Sequence, residues 1–261
     1  MSYPRSIVCL TEESVETLFL LQKEHLIKGV SIFVRRPLEA TKLPKVSQFT
    51  NTNTDKIKTI KPDLIIGFSD IQKDTARELI AEGFNVLITN QRSINEIIDQ
   101  ILFLGNIVDA KEEAQKLIRT IYHKIEMVKN QTREWEHRPK VYFEEWDEPR
   151  ISGIRWVSEL IAICGGDDIF HQKSLQSNLA SERFVDDEHI IKENPDIIIG
   201  CWCGKKVNLE SIKKRKGMEQ VSAVINNHVY EVPPEIFLQP GPAVLTDGID
   251  MMHTLFKGLI K

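Results

Sequence analysis

The clearest pattern in the chain is an amphipathic run that stops at Pro-Asp and continues into three aliphatic residues and a glycine. It occurs twice, as I-K-T-I-K-P-D-L-I-I-G over Ile57–Gly67 and as I-I-K-E-N-P-D-I-I-I-G over Ile190–Gly200. Because proline disfavours helical geometry in the residue before it, each amphipathic run predicts a helix that ends there. The aliphatic triplets, which are apolar on both faces, predict buried parallel strands. The pattern therefore indicates an internal duplication.

Short aliphatic strands and amphipathic helices alternate along the rest of the chain. This alternation favours parallel sheets with right-handed crossovers, so we expect an α/β fold of two similar lobes, at 1–106 and 138–261. A long turn is predicted over Glu144–Gly153, before a helical run that starts at Trp156. The further predicted strands are Ile7–Leu10, Gly29–Phe33, Val86–Thr89, Val141–Phe143, Asp168–Phe170 and Val229–Val232.

The segment between the two lobes has the strongest helical pattern. From Asp109 to about Trp135 there is no Gly or Pro, and apolar residues recur at steps of three and four. A helix of this length spans roughly 35–40 Å. We therefore expect residues 107–137 to form one long rigid helix that links the lobes. Because ligands of open α/β sheets bind outside the carboxyl ends of the strands, we also expect a ligand crevice between the lobes.

Composition and charge narrow the class of partner. A formal net charge of −4 and a pI of about 6.0 give no electrostatic reason to expect nucleic acid. No apolar stretch approaches the ~20 residues of a membrane span, and no signal-peptide pattern precedes Ser6. We expect a monomer without membrane insertion. It would be cytoplasmic if Met1 is the native start, and periplasmic or at the cell surface if a leader has been removed.

Short motifs with a common order and spacing extend over essentially the whole chain. Those of the N-terminal half are Gly29-Val-Ser31, Pro37-Leu-Glu-Ala40, Leu43-Pro-Lys-Val46, Phe49-Thr-Asn51, Lys61-Pro-Asp-Leu64 and Gly83-Phe-Asn-Val86. Those of the C-terminal half are Glu145-Trp146 with Pro149, Gly153 with Trp156-Val157, Cys164-Gly-Gly166 with Ile169-Phe170, Cys203-Gly204 and Pro240-Gly-Pro242. Together they resemble the vitamin B12 and iron-chelate binding proteins of ABC importers, in particular the cobalamin-binding branch.

This resemblance implies non-catalytic binding of a corrinoid in the crevice between the lobes, for transport or for intracellular carriage, with no catalytic cofactor. It also implies an ABC importer as a partner, docked through one acidic residue on each lobe. The corresponding regions here hold Lys73-Asp74 and Leu238, and Glu235 lies near the second region but is displaced from it. The docking acids are therefore not clearly present.

Aromatic residues near the predicted strand ends are the candidate ligand contacts. Phe68 and Trp202 come just after the two Pro-Asp strands, where they would face a shared crevice. An aromatic stacking contact contributes about 0.5–1.5 kcal/mol beyond its buried area, which suits a flat macrocycle. Glu145 is the candidate for hydrogen bonds to ligand amides. The further candidates are Phe33, Phe49, Trp146, Trp156 and Phe237.

Two alternatives remain open. A protein of the same fold could bind a ferric siderophore or haem instead. In a second alternative, Cys201 and Cys203 bind a metal for an enzyme or metallochaperone, with Glu144, Glu145 and Asp147 as a carboxylate cluster. Structural zinc needs four ligands, and the seven histidines show no metal-like spacing. We therefore expect no enzyme activity and no resident metal.

Overall fold

The fold is described from a computed structural model for residues 3–176 and 179–260. The chain forms two compact units, each described separately below. The N-terminal unit comprises Met1–Gln91 and Asn95–Ile121, and the C-terminal unit comprises Arg92–Ile94 and Tyr122–Lys261.

The N-terminal unit is built on a parallel sheet. Within the described residues this sheet has five strands in the order β3-β2-β1-β4-β5, and every pairing is parallel. Aliphatic side chains of the central strands pack with Ile57 and Leu79 from the flanking helices. The strands are β1 (Ile7–Cys9), β2 (Ile27–Ser31), β3 (Lys45–Ser47), β4 (Leu64–Phe68) and β5 (Val86–Thr89).

Helices alternate with these strands, as the sequence predicts. They are α1 (Glu12–Leu20), α2 (Thr54–Ile60), α3 (Lys73–Ala81), α4 (Ile94–Ile107) and α5 (Lys111–Thr132). The last of these is the long helix expected between the lobes, and the division between the two units falls within it. It is shorter than the predicted 107–137, since Asp109, at φ 54°, separates it from α4. Its 22 residues span about 33 Å.

The C-terminal unit has a mixed sheet. In the described part of the chain its strand order is β10-β9-β6-β7, and β8 pairs with β6 on the same side as β7. The strands are β6 (Lys140–Asp147), β7 (Arg150–Ser152), β8 (Asp167–Asp168), β9 (Ile197–Gly200) and β10 (Val229–Glu231). The helices are α6 (Arg155–Ile163), α7 (His171–Gln176), α8 (Asp187–Glu193), α9 (Leu209–Lys213), α10 (Ser222–Ile225), α11 (Pro234–Phe237) and α12 (Ile249–Lys257). The α/β prediction with central parallel strands is thus confirmed.

The two Pro-Asp segments fold in the same way in their two units. Lys61 caps the C-terminal end of α2 and Asn194 caps that of α8, both in the left-handed region, at φ 52° and φ 49°. The proline follows directly in each copy, and β4 or β9 begins two residues after it. At the other end of each helix a side chain accepts a hydrogen bond from a backbone amide of the first turn: Asn53 accepts from Lys56 in α2, and Asp186 accepts from His189 in α8.

The long turn predicted over Glu144–Gly153 is wrong. Strand β6 continues to Asp147, and β7 turns back to pair with it antiparallel, with Glu144 opposite Ser152. The run Glu144-Glu-Trp-Asp147 lacks the β-branched residues that mark a strand. Cross-strand partners and buried cations, described below, hold it in the sheet.

The N-cap of α8 gives a first testable prediction. The Asp186 carboxylate accepts a hydrogen bond of 2.8 Å from the His189 amide. Removing it by Asp186→Ala should lower the free energy of unfolding by about 1 kcal/mol, since an N-terminal amide loses its acceptor. Urea unfolding followed by tryptophan fluorescence measures the change. Glu188→Ala, an exposed acid of the same helical turn, is the matched control, and an equal loss in both variants would contradict the capping role.

Candidate ligand-binding face of the C-terminal unit

The parallel strands β6, β9 and β10 bring three chain segments to one edge of the C-terminal sheet. Glu144 lies opposite Gly200 in the register, and the Cys201 amide donates to the Glu144 carbonyl at 2.9 Å. The Val232 amide in turn donates to the Gly200 carbonyl at 3.0 Å. Glu145 and Trp146 on β6, and Trp202 after β9, therefore meet at the carboxyl end of this sheet, where ligands of α/β folds bind.

Glu144 is a fully buried carboxylate with four hydrogen bonds. Arg215 donates to both of its oxygens, at 2.5 and 2.8 Å, in a bidentate ion pair. The Tyr142 hydroxyl donates at 3.0 Å and the Trp202 indole N–H at 3.2 Å. Burial, followed by the charge of Glu144, raises the pKa of Tyr142 well above its ordinary value. The network ties the Trp202 indole N–H to the end of β6.

Arg215 keeps its proton in spite of its burial. Burial alone lowers the pKa of a guanidinium, but the hydrogen bonds and charge of Glu144 outweigh it, so the pKa of Arg215 is raised. A bidentate, charge-assisted pair of this kind is strong and directional. Arg215 follows α9 and lies 71 residues from Glu144 in the chain.

Trp202 itself is only 2% exposed and packs in the hydrophobic core with Tyr142 and Ile198. Part of its cover is Lys205, whose ammonium lies 4.8 Å from the Trp202 ring centroid and 4.3 Å from that of Trp146. The same ammonium pairs with the Asp147 carboxylate at 2.6 Å. Two indole rings thus converge on one lysine at the carboxyl ends of β6 and β9.

Glu145, the candidate for binding ligand amides, already has a cationic partner. Arg183 donates to both carboxylate oxygens, at 2.6 and 3.0 Å, and also to the Ser152 carbonyl. The Arg183 side chain is 2% exposed, while that of Glu145 is 18% exposed. Glu145 therefore keeps some access to solvent, and its role as a ligand contact stays a prediction.

Trp156 and Phe237 form a second pair near this edge. The Trp156 indole N–H donates to the Phe237 carbonyl at 2.8 Å, which ties the start of α6 to the end of α11. Phe237 has no exposed surface and contacts Phe143, with ring centroids 6.3 Å apart. Both side chains fill the core in this structure. A ligand contact by either of them stays a prediction.

The candidates of the N-terminal unit differ in exposure. Phe33 is 40% exposed and lies two residues beyond β2. Phe68, at the end of β4, is buried, and its amide donates to the Gln72 side chain at 2.9 Å. The side-chain amide of Gln72 donates in turn to the Phe49 carbonyl at 2.8 Å, and Phe49 is half-buried. Gln72 therefore holds Phe49 and Phe68 together.

Cys201 and Cys203 occupy different environments. Cys201 is buried, and burial, with the acids Glu145, Glu235 and Glu231 contributing, raises its pKa well above the ordinary value. Cys203 is exposed. Within the described residues, no group of three or more His, Cys, Asp or Glu side chains is arranged to hold a metal ion.

Sequence reasoning missed three cations and one amide that organise these residues. Arg183, Arg215 and Lys205 each pair with an acid of β6 across 38 to 71 residues of chain, a separation that no local pattern can reveal. Gln72 could have been found from its place just after a predicted strand, where a polar side chain can hydrogen-bond the strand end.

Two relatives match almost the whole chain. An ABC transporter substrate-binding lipoprotein of Bacillus subtilis, YvrC, is 24% identical and aligns with 99% of this chain and 82% of its own length. A protein of Vibrio cholerae named vitamin B12-binding protein is also 24% identical, over 96% of this chain and 88% of its own.

Solved structures share the fold. A possible iron-binding, periplasmic solute-binding protein of Staphylococcus epidermidis superposes with a TM-score of 0.82 at 24% identity, over 97% of this chain and 99% of its own. The S. aureus protein IsdE, solved with heme, superposes with a TM-score of 0.80 at 19% identity, over 98% and 99% of the two chains.

No helix in the described ranges is long and apolar enough to cross a membrane. The family model described as periplasmic binding protein matches residues 7–236, which include the strands of both units and the edge built by β6, β9 and β10. The chain therefore belongs to the periplasmic binding protein family, whose members bind solutes and do not act as enzymes.

Proposed function

We propose that this chain is the substrate-binding component of an ABC importer and that its ligand is a cobalamin-like corrinoid. The observation that carries the proposal is the similarity to the vitamin B12-binding protein of V. cholerae over 96% of the chain. Under this proposal the chain acts outside the cytoplasmic membrane, in the periplasm or at the cell surface. The relation to a substrate-binding lipoprotein supports that location and a membrane permease as the partner.

The chemistry at the carboxyl end of the C-terminal sheet supports a large, flat ligand. Trp146 and Trp202 each have an indole face under the Lys205 ammonium, and Glu145 has a partly exposed carboxylate for ligand amides. Ligand pockets combine such apolar area with a few polar groups that fix orientation. A flat ligand reaches the indoles once the Lys205 side chain turns away.

Release of Lys205 has a modest cost. A cation–π contact at an exposed site contributes about 0.5–1 kcal/mol, and an exposed ion pair contributes about 0.2–1 kcal/mol. Since Lys205 makes both kinds of contact, we expect its release to take about 1–2 kcal/mol of ligand-binding free energy. Lys205 therefore covers the two indole rings in the free protein, and the ligand takes the place of this lysine when it binds.

Titration with cyanocobalamin, followed by visible absorption and calorimetry, tests the proposal. We expect saturable binding of one ligand per chain. Lys205→Ala should bind cyanocobalamin about tenfold more tightly, since about 1.4 kcal/mol corresponds to a factor of ten. Lys206→Ala removes the same charge from an exposed neighbouring position and should leave the affinity unchanged.

Titrations with haem and with a ferric siderophore distinguish the ligand classes. Binding of either one in the absence of cyanocobalamin binding would reject the corrinoid and retain the substrate-binding role. Weaker binding by Lys205→Ala would show that the lysine contacts the ligand directly, which contradicts its role as a cover.

A further inference from the structure

A polar pocket of about 680 Å³ lies at the end of β3 in the N-terminal unit. Its lining combines the end of the strand, the loop that follows it and the first turn of α2. Lys45, Ser47, Asn53 and Lys56 contribute polar groups to this lining, and Asp55 is its acidic member. The pocket lies wholly within one compact unit, and none of the ligand contacts proposed above belongs to it.

Two polar atoms of this lining are left unsatisfied. The Lys45 ammonium nitrogen and the Ser47 hydroxyl oxygen are both shielded from solvent, and neither has a hydrogen-bond partner among the described residues. Ser47 as a whole is 4% exposed. A buried polar group without a partner destabilises the fold, and a buried charge without one destabilises it more. A bound group that accepts a hydrogen bond from both atoms would remove this destabilisation.

Strand geometry explains why the two atoms occur together. Lys45 and Ser47 are two residues apart on β3, so their side chains point to the same face of the sheet. Val46 between them points to the opposite face, where it packs in the core with Leu10 and Ile57. The core thus fixes the strand, and the strand places the lysine and serine side chains on one face.

The charge of the lining is positive on balance, with Lys45 and Lys56 against Asp55. The Lys56 ammonium donates to the Lys45 carbonyl at 3.3 Å and so stays close to the strand. Burial, and next the nearby Arg35 charge, lowers the pKa of Lys45. An anion in the pocket would raise the pKa of Lys45 again, because it pairs with the ammonium and offsets the repulsion from Arg35.

We propose that this pocket binds the oxyanion group of a small molecule, with the Lys45 ammonium and the Ser47 hydroxyl as its two buried donors. An oxyanion presents several acceptor lone pairs on one compact group, so it can accept from both donors at once. Charge-assisted hydrogen bonds of this kind are the strong ones. A phosphate and a carboxylate share this chemistry, and the experiment separates them.

The test is a titration of the whole protein with inorganic phosphate and, separately, with sodium acetate, at ionic strength held constant with chloride. Backbone amide shifts in two-dimensional NMR report binding, and we expect them to change over residues 45–53. Lys45→Met should weaken anion binding at least tenfold, and Ser47→Ala about threefold, since a neutral hydrogen bond contributes less than a charge-assisted one. Lys28→Met, which removes an exposed charge from β2, is the matched control.

Tighter binding of phosphate than of acetate identifies a phosphate-bearing ligand, and the reverse order identifies a carboxylate-bearing one. Lys45→Met should also fold normally, because it removes a buried charge that has no partner among the described residues. Localised shifts with neither anion would overturn the proposal. An unchanged affinity in Lys45→Met would overturn it too, because the ammonium is its principal donor.

Discussion

Replacing Arg215 by methionine is expected to lower the free energy of unfolding of the C-terminal unit by about 3–5 kcal/mol. The substitution leaves the Glu144 carboxylate, which has no exposed surface, without its cationic partner. Tyr142 and Trp202 still donate to this carboxylate, but two neutral donors do not replace a bidentate guanidinium. The lost free energy of unfolding is the cost of leaving the charged Glu144 carboxylate unpaired in the protein interior.

Urea unfolding followed by tryptophan fluorescence measures this loss. All four tryptophans, at positions 135, 146, 156 and 202, belong to the C-terminal unit, so the signal reports that unit. Lys214→Met, at a neighbouring side chain that is 78% exposed, is the control and should change the stability little. The double variant Glu144→Gln/Arg215→Met should be more stable than Arg215→Met alone, because it removes the unpaired charge. A loss below 1 kcal/mol in the single variant would contradict the expected cost of leaving this buried carboxylate without its cation.

Replacing Glu13 by glutamine is expected to stabilise the protein at pH 8 by about 3 kcal/mol relative to the wild type, and to have little effect below pH 4.5. Glu13 is buried in the first turn of α1, and burial raises its pKa from 4.5 to about 7. One of its oxygens accepts from the Thr11 hydroxyl at 2.5 Å, and the other has no partner among the described residues.

The direction of the pH dependence follows from the raised pKa. Below pH 4.5 the carboxyl is protonated in both the folded and the unfolded chain, and the folded state bears no charge penalty. Between pH 4.5 and 7 the unfolded chain releases the proton and the folded chain retains it, so stability falls as the pH rises. A difference of about 2.5 pKa units corresponds to about 3 kcal/mol. Glutamine is neutral at every pH, so the Glu13→Gln variant does not lose stability in this way.

Urea unfolding followed by circular dichroism at pH 4.5, 6 and 8 measures the difference between Glu13→Gln and the wild type. Glu24→Gln, at an exposed acid of the same unit, is the control and should show no such trend. A difference that stays constant with pH would contradict the raised pKa, whatever its size. A loss of stability at every pH would mean that the glutamine amide packs poorly against Thr11.

Local signals in the sequence were enough for the repeated helix and strand. Proline ends α2 and α8 and aliphatic triplets begin β4 and β9, because these rules act over a few residues. The fold class followed from the alternation of such elements. The outer half of β6 could not be predicted in this way. Its acidic residues suit a strand only once Arg215 and Arg183 supply counter-charges from distant parts of the chain.

The candidate site shows the same limit. The position of Trp202 after β9 was evident from the chain, but its burial was not. The ring is enclosed because its indole N–H reaches Glu144 and because Lys205 covers its face. Both contacts depend on neighbouring strand ends meeting in space. Sequence order therefore indicates which residues gather at this edge, and the structure is needed to show which of them remain exposed.

The hairpin at the end of β6 also affects how the protein behaves at high concentration. β6 is the longest strand in the described part of the chain, and a long unpaired strand edge is a template for pairing with other molecules. The two short strands β7 and β8 divide its outer edge between them, one at each end. The edge of β6 with which another copy of the chain could pair is therefore already occupied by β7 and β8.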